Sequence, residues 1–259
     1  MPQYPFGSGA LWAERTDVTG SGIGPVQVGV LQDCAINYDA TLKELRGQLL
    51  FPDDVAIGER KITVTAKHGR IFGALFSDVV FGTTAATGAI TVAQGESASV
   101  PATSTYTYTT SNAATFVLDL GVFMVTPGGS STLLAGQKFT RVTTPTTSGQ
   151  YSVNQSTGIY TFAAADASAA VKVNYAYSLT TGLKSTITNG LQGVTPTFKA
   201  TFYTARSGLN NNALTWTLNA CVCNKLTLPA RMGDYNIPNL DFEAFADSSG
   251  NVGTISTTE

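Results

Sequence analysis

The stretch Cys221–Ser256, CVCNKLTLPARMGDYNIPNLDFEAFADSSGNVGTIS, decides how the chain is read. Alternation at Lys225–Leu228 has the two-residue period of a strand, and Pro229 ends it. Gly233, Pro238, Gly250 and Gly253 then break the chain repeatedly. The same segment nevertheless carries Tyr235, Ile237, Leu240, Phe242, Phe245 and Ile255. A disordered tail is poor in such residues, because it has nowhere to bury them. Either the chain's own body or a neighbouring copy must cover these side chains.

Working outward, composition points to β structure. The chain has 259 residues, enough for one large or two small domains with real cores. It holds 38 threonines and 26 glycines, residues favoured in strands and in the turns between them. Charged residues make up only 12%, about half the usual share. A net charge of −2 argues against a binder that works by neutralising phosphates. The three cysteines make no disulfide framework, the N-terminus does not read as a signal peptide, and no apolar run is long enough to span a bilayer.

Residues 1–25 are rich in glycine and read as an extended arm, with Phe6, Leu11 and Trp12 available to dock on a neighbour. Val26, Val28 and Val30 alternate, as do Ile62, Val64 and Ala66, and both runs predict half-buried strands. Gly47 and Pro52–Gly58 predict a bend and a long turn between them. One α-helix is expected, at about residues 69–81. Ile71, Leu75 and Val79 share a helical face with Phe72, Phe76 and Val80 beside it, and Gly82 stands at the C-terminal cap.

Composition then shifts. Thr83 to Thr180 holds six charged residues in 98, against 26 in the other 161. Strands are readable there at Thr105–Thr109, Phe116–Val125, Gly158–Phe162 and Val171–Leu179. This spacing predicts a small β-sandwich, residues 83–180, inserted into a host domain of residues 26–82 and 181–259. Further strands follow at Phe198, Ala200 and Phe202, and from Leu214 to Val222.

Motifs for chemistry are sparse. His68 is the lone histidine, expected at a strand-to-helix corner as a surface or capping residue. Cys221 and Cys223 have CxC spacing, which on a strand puts both on one face rather than around a zinc ion, so they read as small buried apolar residues with Cys34 apart from them. No phosphate loop, nucleophile elbow or dinucleotide turn is present in the sequence. The acids Asp53 and Asp54, and the trio Asp241, Glu243 and Asp247, read as solvated loop residues rather than a glycosidase pair. Tyr106, Tyr108, Tyr175 and Tyr177 read as packing residues, since no basic side chains interleave them. The expectation is a structural or interaction protein, not an enzyme, with no catalytic, cofactor or metal residues.

The host portion resembles the major tail tube proteins of long-tailed, siphovirus-like bacteriophages. The stretches that carry the likeness are GALWAERTD (9–17), VQVGVLQDCAINYDATLKELRGQLLFP (26–52), KITVTAKHGRIFGALFSDVVFG (61–82) and the closing Asn219–Ser256. The insert, notably GIYTFAAADASAAVKVNYAYS (158–178), is similar to immunoglobulin-like β modules that recur in phage tail proteins. The resemblance implies a mainly β fold, a tail-tube-type β-sandwich or barrel with one flanking helix, plus the small inserted sandwich. It implies a homo-oligomer of stacked, hexameric rings in the virion tail, made in the bacterial host cytoplasm. Other implied partners are the tape-measure, terminator and tail-tip proteins, with double-stranded DNA passing through the bore and no membrane. A bore with acids repels DNA lightly, and Asp53, Asp54 and Glu59 are the candidates to line it. Candidates for an inter-subunit arm are Phe6, Leu11, Trp12, Tyr235, Ile237, Leu240, Phe242 and Phe245. The alternative is a decoration or tail-tip adhesin protein that binds a host surface glycan through the insert. A hydrolase built on the acidic pairs is a third reading.

Overall fold

The computed structural model describes residues 7, 9–18, 24–70, 73–193, 195–205 and 213–258. The chain is mainly β and divides into two compact units, Met1–Ala85 with Ser185–Glu259, and Ala86–Lys184.

The first unit contains β1 (Ala10–Arg15), β2 (Val26–Val28), β3 (Leu31–Leu45) and β4 (Asp54–His68). After the second unit it adds β14 (Phe198–Ala205), β15 (Ala213–Thr227), β16 (Asn239–Phe245) and β17 (Gly253–Thr257). They form one antiparallel sheet in the order β2-β1-β14-β15-β16-β4-β3. β16 and β17 take successive halves of one edge of β15, pairing with Ala220–Thr227 and Leu214–Leu218. The turn between them is tied by the Asp247 carboxylate, which accepts N–H bonds from Ser249 and Asn251 at 2.9 Å.

Alternate residues point into one core: Leu11 and Ala13, Val64 and Ala66, Phe198 and Ala200, Leu240 and Phe242. The rings of Phe198 and Phe242 meet edge-on, centroids 5.2 Å apart. Leu11 and Ile36 come from strands near opposite ends of the sheet order, yet both border one small cavity with Val64 and Phe242. The sheet therefore curls around its core.

A short helix lies against this core, and it differs from the expected α-helix over 69–81. Gly69 and Arg70 are bends, Gly73–Leu75 is α1, and Phe76–Phe81 winds as a π-helix. Residues 71–72 lie outside those described. Leu75 and Val79 are fully buried as the stripe requires, but so is Ser77 between them. Its hydroxyl donates to the Gly73 carbonyl at 3.1 Å, which explains how a polar residue is tolerated there. Gly82 caps the element at φ +62, and a Cβ added there would stand 2.7 Å from Pro196.

Within the expected N-terminal arm, residues 1–25, one segment is a strand of the sheet instead. Ala10–Arg15 is an internal strand, paired on both sides by β2 and β14, and Leu11 belongs to its own subunit's core. Trp12 is half-buried on the opposite face of that strand, and Phe6 lies outside the described residues. Leu240 and Phe242 are likewise core residues of an internal strand, not an arm. Cutting the chain at Asp241 removes part of that core.

The second unit holds β5 (Ala86–Thr87), β6 (Ile90–Ser99), β7 (Thr107–Thr109), β8 (Phe116–Thr126), β9 (Thr140–Arg141), β10 (Gln150–Asn154), β11 (Ile159–Phe162), β12 (Ala170–Ser178) and β13 (Leu183–Lys184). A three-stranded sheet, β6-β12-β8, and a four-stranded one, β7-β11-β10-β9, bury a common core between them. β5 and β13 pair separately.

Two carboxylates brace these sheets together. Asp119 on β8 accepts hydrogen bonds from the Tyr151 and Tyr160 hydroxyls at 2.7 and 2.8 Å, across the core. Glu96 on β6 accepts from Tyr108 across the core at 2.6 Å and from Tyr175 at 2.5 Å. Burial, and then the bond to the acid, push all four tyrosine hydroxyls above their usual range. A third acid, Asp166, is fully buried and accepts from the Ser148 hydroxyl and the Gly149 N–H, both at 2.8 Å.

Candidate functional site

The outer part of the β3–β4 hairpin is the feature of the first unit that its own fold does not explain. β4 pairs with β16 only over Ile62–Lys67, whereas β3 and β4 pair with each other from His68 out to Asp54. Asp39–Leu45 and Asp54–Lys61 therefore form a two-stranded ribbon with no third strand. Eight residues of strand project it by about 25 Å. Every residue in both strand segments is exposed.

Strand alternation makes this ribbon two-faced. The face that carries Ile36 and Val64 over the core continues outward as Tyr38, Ala40 and Leu42 on β3 with Arg60, Ile57 and Val55 on β4, and Glu44, the partner of Val55, ends it. Leu42 pairs directly with Ile57. A bulge between these pairs and Ala40↔Arg60 keeps the apolar side chains on that face. It is pinned by Thr41, whose Oγ1 accepts the Glu59 N–H at 2.9 Å. The turn is closed by the Asp53 N–H donating to the Leu45 carbonyl at 2.8 Å and by an Arg46–Glu44 ion pair. At its tip, Leu50 and Phe51 are 93% and 81% exposed, and Leu49 stands beside them.

An isolated hairpin is marginal in water, and this one exposes Tyr38, Leu42, Val55 and Ile57 on one face, with Arg60 and Glu44 among them. Burying these four apolar residues would contribute about 5 kcal/mol, allowing for their partial contact already.

The acids expected along a bore sit on this projection. Asp53 is in the turn, Asp54 opens β4 and accepts its neighbour Val55's N–H at 2.9 Å, and Glu59 lies in the bulge. The expected long turn at Pro52–Gly58 is corrected, because strand pairing resumes at Asp54. Asp241 and Glu243, expected as solvated loop acids, are instead half-buried on strand β16, where they lie with other charged residues on the sheet face away from the core. Register sets Asp33 opposite Lys67, Asp39 opposite Lys61, Asp241 beside Thr65 and Lys225, and Glu243 beside Thr63. Lys61 pairs with Glu243 at 2.9 Å and Lys67 with Asp33 at 3.1 Å, so two of this face's cations are neutralised.

Among the other arm candidates, Tyr235 is fully open on the loop between β15 and β16, and Ile237 and Phe245 are partly so.

His68 is not a surface residue, as the sequence suggested. It ends β4 fully buried, and burial pushes its pKa down against a smaller opposing effect of the Ala66 backbone. Cys34, Cys221 and Cys223 all pack in or against the core, and burial raises the Cys34 and Cys221 thiols to about 12. No described group of three or more His, Cys, Asp or Glu residues could hold a metal ion, and no described helix is long and apolar enough to cross a membrane. No family model matches the chain, and no curated protein matches it.

Proposed function

We propose that this chain is a structural protein that assembles with copies of itself, as a tail-tube-type subunit whose rings stack into a conduit for DNA. The observation that carries this reading is the projecting β3–β4 ribbon. It is exposed on both sides and carries four large apolar side chains, Tyr38, Leu42, Val55 and Ile57, on one face. A second copy that receives these side chains removes them from water and continues the polar face of the sheet onto the next subunit.

The charge pattern suits the same role. Ion pairing of Lys61 and Lys67 leaves the polar face without a continuous track of free cations. A duplex carries one negative charge per ~1.7 Å of axis, and such a face grips few of its phosphates. In this reading the second unit is an immunoglobulin-like module carried by each subunit, and the chain resides in a virion tail.

Negative-stain microscopy of the purified protein tests this directly. Stacked rings or hollow polymers are the expected result. Persistent monomers at high concentration, in the presence of salt and crowding agent, would refute it.

A further inference from the structure

The second unit has an unusual distribution of charge. Its charged side chains are Glu96, Asp119, Asp166, Lys138, Arg141, Lys172 and Lys184. All three acids accept internal hydrogen bonds while keeping their charge, and four cations stand against them. Two of these cations line one groove.

That groove runs along Lys138–Thr143. A cavity of ≈ 580 Å³ lies between this segment and Asp119–Gly121, with Leu120 forming an apolar wall. A second cavity, ≈ 450 Å³, continues from Arg141 to Thr143 and Ser152. Both are shallow depressions open to solvent, suited to an extended ligand lying along the surface. Arg141 is common to the two cavities and sits at the middle of the groove.

Arg141 is positioned but not used up. Its Nη1 stands 3.7 Å from Asp119 Oδ2, beyond hydrogen-bond reach, while Asp119 already accepts from Tyr151, Tyr160 and the Gly121 N–H. The acid anchors the guanidinium by charge, and the guanidinium, which lines the groove, makes no hydrogen bond to a described residue. Lys138 has no acid partner among the described residues, and the hydroxyls of Thr140, Thr143 and Ser152 make no side-chain hydrogen bond there.

We infer that this groove binds an acidic saccharide, an oligomer of sugar rings carrying carboxylates. Arg141 takes a carboxylate through two parallel N–H bonds, and Lys138 supplies a second, less directional charge. The threonine and serine hydroxyls match sugar hydroxyls, and Leu120 offers a surface for the C–H face of a ring. A nucleic acid fits less well, because the groove's aromatic residues, Phe139 and Tyr151, are buried and give no stacking platform. This inference does not rest on the tube reading.

Calorimetric titration of the full-length protein with tetragalacturonate tests it, with cellotetraose and inorganic phosphate at matched ionic strength as comparators. The acidic oligomer should bind saturably, and Arg141→Gln should weaken binding about tenfold or more, with Lys138→Gln giving a smaller loss. Lys138→Gln should keep the parent Tm, and Arg141→Gln, which removes the ion pair to the buried Asp119, should lower it without unfolding the unit at the titration temperature. Absence of tetragalacturonate binding would overturn the inference. So would unchanged binding by Arg141→Gln, equal binding of cellotetraose, or full competition by phosphate.

Discussion

Replacing Leu42 and Ile57 together by glutamate is expected to abolish self-association while leaving the subunit folded. The two residues face each other across the ribbon, so the variant places like charges directly opposite on one face. In the free subunit both side chains are already more than half exposed, and the cost to folding stays within about 1 kcal/mol. In an assembly the same change forfeits the burial of the ribbon's apolar side chains and forces two carboxylates into the contact. The loss exceeds about 5 kcal/mol per contact, which at about 1.4 kcal/mol per decade weakens association by more than a thousandfold. Sedimentation velocity reads the association, and far-UV circular dichroism with thermal melting reads the fold. A variant that still assembles would place the contact elsewhere on the subunit.

The second large effect concerns the inserted unit rather than the ribbon. Asp119→Ala should destabilise it by about 3–5 kcal/mol, because two buried tyrosine hydroxyls lose their acceptor at once and each orphaned group costs about 1–3 kcal/mol. Tyr151 and Tyr160 stack on one another within the core, centroids 5.8 Å apart, so neither hydroxyl can swing to water without moving the other ring. In a urea titration of the full chain, near-ultraviolet tyrosine dichroism is weighted toward this unit, which holds six of the ten tyrosines, while fluorescence of Trp12 and Trp216 reports the other unit. Asp119→Asn keeps the shape and one strong acceptor, and should cost less. A change below about 1 kcal/mol for the alanine variant would show that the braces contribute little.

Several of these features are legible in the sequence. The alternation of Phe198, Ala200 and Phe202 puts two of the three deep in the core, and Val171, Val173 and Tyr175 are all buried. The loss of charge at Thr83 and its return after Thr180 fall within a few residues of the boundaries of the second compact unit. Each of these signals is local: a period of two, or a change of composition.

The misses come from information that is not local. Leu11 lies in a short, glycine-flanked run that looks like an arm, because its strand partner Phe202 is far along the chain. Asp119 and Glu96 look like ordinary surface acids until folding brings their tyrosines to them. A stripe at intervals of four residues does not separate an α-helix from the π-helix that Phe76–Phe81 adopts. The ribbon was obscured differently. Its proline and glycines mark a turn, but the pairing of Val55 with Glu44 and Ile57 with Leu42 depends on a bulge at Glu59 that no short motif announces. The apolar residues at 221–256 illustrate both outcomes: Leu240 and Phe242 are covered by their own subunit, while Tyr235 remains open.

The most direct test is amide hydrogen exchange across Asp39–Lys61, compared between dispersed and assembled protein. Self-assembly through the ribbon predicts fast exchange for its outward amides in the dispersed subunit and strong protection on assembly, concentrated at Leu42, Val55 and Ile57. Protection that leaves this segment unchanged while polymers form would contradict the account.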